Sequence, residues 1–161
     1  MDNLDEIDKK ILRELQENSR LTTKELAGKV NLSTTPVYER VKRLENEGYI
    51  KKYVAVLDPE KLNLGFTVYV NVELVRQSYQ GVQTFADRVK DIPEVTECYS
   101  VAGKTDFILK IHAPSMRYYK EFVLGVLGRI DNVKHIDSIF VMSEVKHTTT
   151  LPLGTSADSP A

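Results

Sequence analysis

Tryptophan is absent and cysteine occurs once, at Cys98, in a chain of 161 residues. A lone cysteine excludes an intrachain disulfide and any zinc framework built on cysteines, and it fits a reducing compartment. No run approaches the roughly 18 apolar residues of a membrane-spanning helix, and residues 1–10, MDNLDEIDKK, hold no apolar signal region. Charge of one sign is lacking too: 22 Lys and Arg stand against 23 Asp and Glu, a net charge of −1. That balance excludes a generally basic nucleic-acid coat protein, so any such binding has to come from a local patch. With 42% hydrophobic and 28% charged residues, the chain is too apolar to be disordered and too polar for a membrane protein. The expectation is a cytoplasmic protein of one large or two small domains. His112, His135 and His147 are isolated from one another and from Cys98, and no nucleophile elbow, phosphate loop or His-Glu-x-x-His motif occurs. Neither catalytic residues, a metal nor a cofactor is implied.

Hydrophobic periodicity changes near residue 50 from a helical to an alternating spacing. Asp58-Pro59 is a turn signal, and Asn63-Leu64-Gly65 punctuates again before Phe66. The expected division is a DNA-binding domain over residues 1–50, a hinge strand and linker over 51–65, a second domain over 66–153 and a disordered tail over 154–161.

In the first part, Leu4, Ile7, Ile11 and Leu15 fall on one helical face, with Asp8, Lys10, Arg13 and Glu14 placed outside it. Thr22 and Glu25 form a capping box, flanked by a Leu21–Leu26 staple. Asn31 can take the left-handed conformation that reverses the chain, and Ser33 is expected to cap a third helix with Leu32 and Val37 at staple positions. Pro36 fits the first turn, Val37, Val41 and Leu44 form the buried stripe, and Gly48 ends the helix with Leu44 and Tyr49 at the touching positions of a Schellman motif. Three capped helices with a tight Asn-Leu-Ser turn describe a helix-turn-helix, and residues 49–57 can follow as a wing or hinge strand. The third helix is the expected reader. Thr34, Thr35, Tyr38 and Glu39 lie on its outer face with Lys42 and Arg43, Arg40 flanks it, and Lys51 and Lys52 follow. From Tyr38 to Lys52 there are five basic and three acidic residues, a local excess suited to phosphates. Thr34, Thr35 and Tyr38 are placed to reach base edges while the basic residues hold the backbone, and an Arg40/Arg43 double alanine variant is expected to weaken binding without unfolding the chain. The same cations would equally serve as a solvated face paired with Glu39, Glu45 and Glu47.

From Phe66, the residues Phe66, Val68, Val70, Val72 and Leu74 alternate with Thr67, Tyr69, Asn71, Glu73 and Val75, the period of a strand. Val82, Phe85, Ala86 and Val89 mark a helix, residues 95–102 and 107–112 two strands, Tyr119 to Ile130 a second helix, and residues 133–145 a closing strand. The order βαββαβ is the ferredoxin-like plan, which makes the whole chain α+β, with both helices on one face of an antiparallel sheet. The other face is expected to present Tyr69, Val75, Ile108, Phe140 and Met142, too much apolar surface to leave wet, so a second subunit should cover it.

The residues Leu4-Asp5-x-x-Asp8-x-x-Ile11-Leu12-x-x-Leu15-Gln16-x-Asn18-Ser19-Arg20 and Leu32-Ser33-x-x-x-Val37-x-x-Arg40-Val41-x-x-Leu44-Glu45-x-x-Gly48-x-Ile50 resemble the Lrp/AsnC family of transcription factors. The hinge from Gly48 to Pro59 and the turn Gly103-Lys104-Thr105-Asp106-Phe107 recur in the same order, so the resemblance covers residues 4–153. It implies a winged helix-turn-helix joined to a ferredoxin-like sensor, double-stranded DNA as partner, and dimers assembling further, often to octamers. It implies also an amino acid or related metabolite as effector, bound between dimers near Ser100, Val101, Gly103, Thr105 and Asp106 and near the strand around Ile136 and Ser138. This chain has Ile136-Asp137-Ser138 where the family often has Thr-x-Thr, so effector identity does not carry over. Physically, Asp106 suits an α-ammonium group and the N–H groups around Gly103 an α-carboxylate, or else Asp106 closes the strand turn. A few proteins of this two-part layout are haem-precursor decarboxylases, the alternative carried from sequence. An RNA-binding RRM shares the element order, but residues 104–111 lack the glycines and exposed aromatics of its third strand.

Overall fold

The computed structural model describes residues 4–154, which form two units, residues 4–55 with 146–154, and Val56–Val145. The expected tail thus falls almost wholly outside the described residues.

Three helices make the first unit: α1 (Glu6–Glu17), α2 (Thr23–Val30) and α3 (Thr34–Asn46). Each start has its own chemistry. Asp5 accepts the Asp8 N–H at 2.8 Å while the Asp8 carboxylate accepts the Asp5 N–H, a capping box beyond those expected. Thr22 and Glu25 form the expected box at α2. Asn31, at φ +57°, closes α2 in the left-handed region and turns the chain into α3. Ser33 occupies the N-cap position of α3, yet its hydroxyl caps nothing. At the other end Gly48 takes φ +78°, but the closing bond to the Leu44 carbonyl comes from the Ile50 N–H at 3.1 Å, so Ile50 rather than Tyr49 tucks against the core. Ile11, Leu26, Val37 and Leu44 are buried at the centre.

The last described residues were expected to complete the sheet domain, yet they belong to the helical unit. The Gln16 amide accepts the Leu151 N–H at 2.6 Å and donates to the Leu151 carbonyl at 3.2 Å, and Leu153 packs on the helical core. Residues 51–58 form neither helix nor strand, so the expected wing has no ladder among the described residues.

The second unit runs β1 (Phe66–Leu74), α4 (Tyr79–Lys90), β2 (Val95–Ser100), β3 (Phe107–Ala113), α5 (Met116–Gly125), a 3-10 turn (Leu127–Arg129) and β4 (Val133–Phe140). The strands lie in the order β2-β3-β1-β4, all antiparallel, which is the ferredoxin-like arrangement. Val68, Val70, Val72 and Leu74 of β1 meet Phe107, Leu109 and Ile111 of β3 beneath Phe85, Val89, Tyr119 and Phe122 of the helices.

Register corrects the open face. Val68 pairs with Phe140, Val70 with Ser138 and Val72 with Ile136, so these three β4 residues share the helix-covered face. Phe140 accordingly stands edge-on to Tyr119 at 5.7 Å. The open face instead carries Tyr69, Tyr99, Ile108 and Ile139, of which Tyr99 and Ile139 are 56% and 51% exposed. Val75 and Met142 lie beyond the ends of β1 and β4, the latter strand stopping at Phe140 rather than near residue 145.

Candidate DNA-reading face and effector turn

Along α3, Thr34, Thr35, Tyr38, Glu39 and Lys42 form one exposed strip at helical spacing, opposite the buried Val37 and Leu44. Lys42 lies 5.9 Å from the centre of the Tyr38 ring and 2.9 Å from Glu45, whose carboxylate raises the lysine's pKa and is itself lowered by it. Tyr53 closes this corner by donating to Glu45 at 3.0 Å, and burial together with that carboxylate pushes its phenol up to about 12. Lys51 and Lys52 are exposed and carry no ion pair among the described residues.

Arg40 and Arg43 lie elsewhere than expected. Both turn toward α1, where Asp8 is 1% exposed and is the buried charged residue of the described chain. Arg40 Nη1 reaches Asp8 Oδ1 at 2.7 Å and Asp5 Oδ2 at 2.6 Å, and Arg43 Nη2 reaches Asp8 Oδ2 at 2.5 Å. Hydrogen bonds to Asp8, and for Arg40 also to Asp5, raise both guanidinium pKa values. Burial pushes the Asp5 carboxyl up, but the bonds from the Asp8 N–H and the Arg40 guanidinium outweigh it and hold the group below its ordinary value. Asp8, expected outside the buried stripe, lies on it: it follows Leu4 by four residues and precedes Ile11 by three, and that spacing was the signal that could have found it.

In the sheet unit, Ser100, Val101, Gly103, Thr105 and Asp106 come together in the β2–β3 turn. Gly103 has φ +156°, and a side chain there would meet open space. The Asp106 backbone is bonded twice, its N–H to the Val72 carbonyl at 2.9 Å and its carbonyl to the Val101 N–H at 3.0 Å. Its Oδ2 accepts the Leu74 N–H at 2.7 Å, just where β1 runs past the end of its ladder with β3. One carboxylate oxygen therefore does close the strand turn. Ile136 and Ser138 sit on β4 at the opposite edge: Ser100, Phe107, Val72 and Ile136 form one row across four strands, a span of about 14 Å. Ile136 packs on the core, and the Ser138 hydroxyl lies 2.6 Å from that of Tyr119 on α5. Burial raises the Tyr119 phenol. Within one chain the two halves of the expected effector site do not meet.

No group of three or more potential metal ligands occurs among the described residues, and none of their helices is long and apolar enough to cross a membrane.

Residues 4–51 match a winged helix-turn-helix DNA-binding family and residues 67–151 the Lrp/AsnC ligand binding domain. The DNA-binding transcriptional activator DecR of Escherichia coli is 37% identical over 150 residues, covering 93% of this chain and 99% of that protein. The Bkd operon transcriptional regulator of Pseudomonas aeruginosa is 39% identical over 153 residues, covering 95% and 100%. A transcriptional regulator of Neisseria meningitidis, solved as a complex with L-Met, superposes with a TM-score of 0.90 at 41% identity, covering 94% of this chain and 97% of that one. These relatives are named as regulators, not as the decarboxylases considered from sequence. The chain belongs to the Lrp/AsnC family of DNA-binding transcriptional regulators.

Proposed function

We propose that this regulator reads double-stranded DNA in the cytoplasm with the exposed strip of α3 and that its sheet unit answers to an amino acid. Thr34, Thr35, Tyr38 and Glu39 meet base edges, while Lys42, Lys51 and Lys52 neutralise phosphates. The α-ammonium of the effector pairs with the second carboxylate oxygen of Asp106, and N–H groups about Gly103 take the carboxylate, with Ser100, Val101 and Thr105 around them. Ile136 and Ser138 complete the site from a neighbouring copy.

The observation that carries this reading is the separation of the two half-sites across the sheet, about 14 Å by strand spacing. A ligand touching both binds only an assembled state, so it shifts assembly by its differential affinity. The exposed Tyr99 and Ile139 on the open face support a covering second subunit and hence a homodimer, and a site shared between copies has that dimer assemble further. The L-Met complex of the Neisseria relative supports the effector class. Thermal-shift screening of the common amino acids tests the reading: at least one should raise the melting temperature selectively. A flat screen across all of them would remove the sensory half of the proposal.

A further inference from the structure

Asp8 has one carboxylate and three duties. It completes the cap of α1 through the Asp5 N–H, and its two oxygens take Arg40 and Arg43, which lie 32 and 35 residues further along the chain on one side of α3. The Arg40 and Arg43 side chains are 27% and 35% exposed, while that of Asp8 is 1% exposed, so the contact is anchored from the interior. Asp5 and Asp8 balance the two arginines in formal charge. Glu39 lines the same groove and tips it negative, so a phosphate gains little by entering it.

An apolar replacement of such a buried cluster is often neutral or stabilising, so stability alone does not account for it. What it supplies here is orientation. Rolling α3 by one residue, about 100°, would pull both guanidiniums from Asp8 and leave a buried carboxylate unpaired. The roll of α3 that keeps the cluster intact is the one that turns Thr34, Thr35, Tyr38, Glu39 and Lys42 outward.

We propose that Asp8 is a positioning residue for DNA reading: it fixes the roll of α3 and holds Arg40 and Arg43 away from the phosphates. The inference rests on α3 being the reader. In this account the two arginines contribute to which sequence is read but not to counterion release, which falls to lysines such as Lys42, Lys51 and Lys52.

The test uses the full-length protein with two probes: a duplex selected from a random library on the wild type, and a mixed-sequence duplex of equal length. Affinity is followed against salt concentration by fluorescence anisotropy. Each cation released onto phosphate steepens the slope of log K against log salt by about 0.9. Asp8→Asn should therefore steepen the slope on the mixed-sequence duplex by about one to two, and reduce the ratio of selected to mixed affinity at least tenfold. Arg43→Gln, which keeps a donor for Asp8 and leaves Arg40 in place, should lower that ratio without changing the slope. A slope that falls by about one in Arg43→Gln puts this arginine on a phosphate and overturns the proposal. So does a folded Asp8→Asn with the wild-type slope and ratio; should Asp8→Asn fail to fold, Arg43→Gln decides alone. Loss of sequence preference in a Thr35→Ala/Tyr38→Ala variant is the separate check that α3 reads DNA at all.

Discussion

The two units secure their structures by different means. In the helical unit one charged side chain, Asp8, is buried and held by Arg40 and Arg43. The buried cluster of the sheet unit is wholly hydrophobic apart from the Tyr119 hydroxyl, and its specificity lies in register, with β1 pairing to both β3 and β4. A helix can roll about its axis without losing its own hydrogen bonds, so a directional contact is useful there. A strand that slips by one residue turns its buried side chains to the open face, and that cost holds the register. In the proposed account, reading and sensing rest on these separate devices, and breaking one alone is its test.

The largest expected effect breaks the helical device. An Arg40→Ala/Arg43→Ala double variant leaves the Asp8 carboxylate buried and unpaired, which should cost about 3–5 kcal/mol in denaturant unfolding. This reverses the expectation from sequence that the pair could be removed with the fold intact.

Next comes the surface on which assembly is proposed to depend. Ile139→Asp places a charge on the open face, where Ile139 is 51% exposed in the single chain, and should bury that charge in any covered dimer. Light scattering of the full-length variant should return a monomer with an unchanged circular dichroism spectrum. An unchanged oligomer would move the interface elsewhere.

Acid should sharpen the contrast between the units. The Asp5 carboxyl is held below its ordinary 3.8, so its contribution is present above the unfolded value and is lost as pH falls through the lower folded one. Below about pH 4 the helical unit should therefore lose stability ahead of the sheet unit. Asp5→Asn should flatten that dependence, as followed by helical ellipticity during acid titration.

The smallest effects compare two caps. Thr22→Ala removes the Thr22 half of a formed capping box and should cost about 1 kcal/mol. Ser33→Ala removes a hydroxyl that caps nothing in the free protein, so its melting temperature should stay near that of the wild type.

Local chemistry was the legible part of the fold. The Thr22–Glu25 box, the left-handed Asn31 and the alternation through β1 each depend on residues within a few positions, and each was placed from sequence. Failures came where the partner is distant. Asp8 carries its signal on the stripe with Leu4 and Ile11, but an acid there has meaning only beside Arg40 and Arg43. Phe140 alternates as well on one face as the other until its pairing with Val68 is known. Residues 146–154 have no periodicity to announce that Leu151 meets Gln16. Of the proposed effector site, the turn from Ser100 to Asp106 was legible as one cluster, whereas the contact between the Tyr119 and Ser138 hydroxyls, across different elements, was not.

Calorimetry on Asp106→Asn bears most directly on the division between reading and sensing. Asparagine keeps an oxygen for the Leu74 N–H, which Asp106 accepts at 2.7 Å, while removing the charge proposed to pair with an ammonium group. The amino acid found by thermal shift should bind the variant at least tenfold more weakly, with DNA affinity in its absence unchanged. Wild-type affinity for that amino acid would show that Asp106 only closes its strand turn, and would contradict the proposed sensing site.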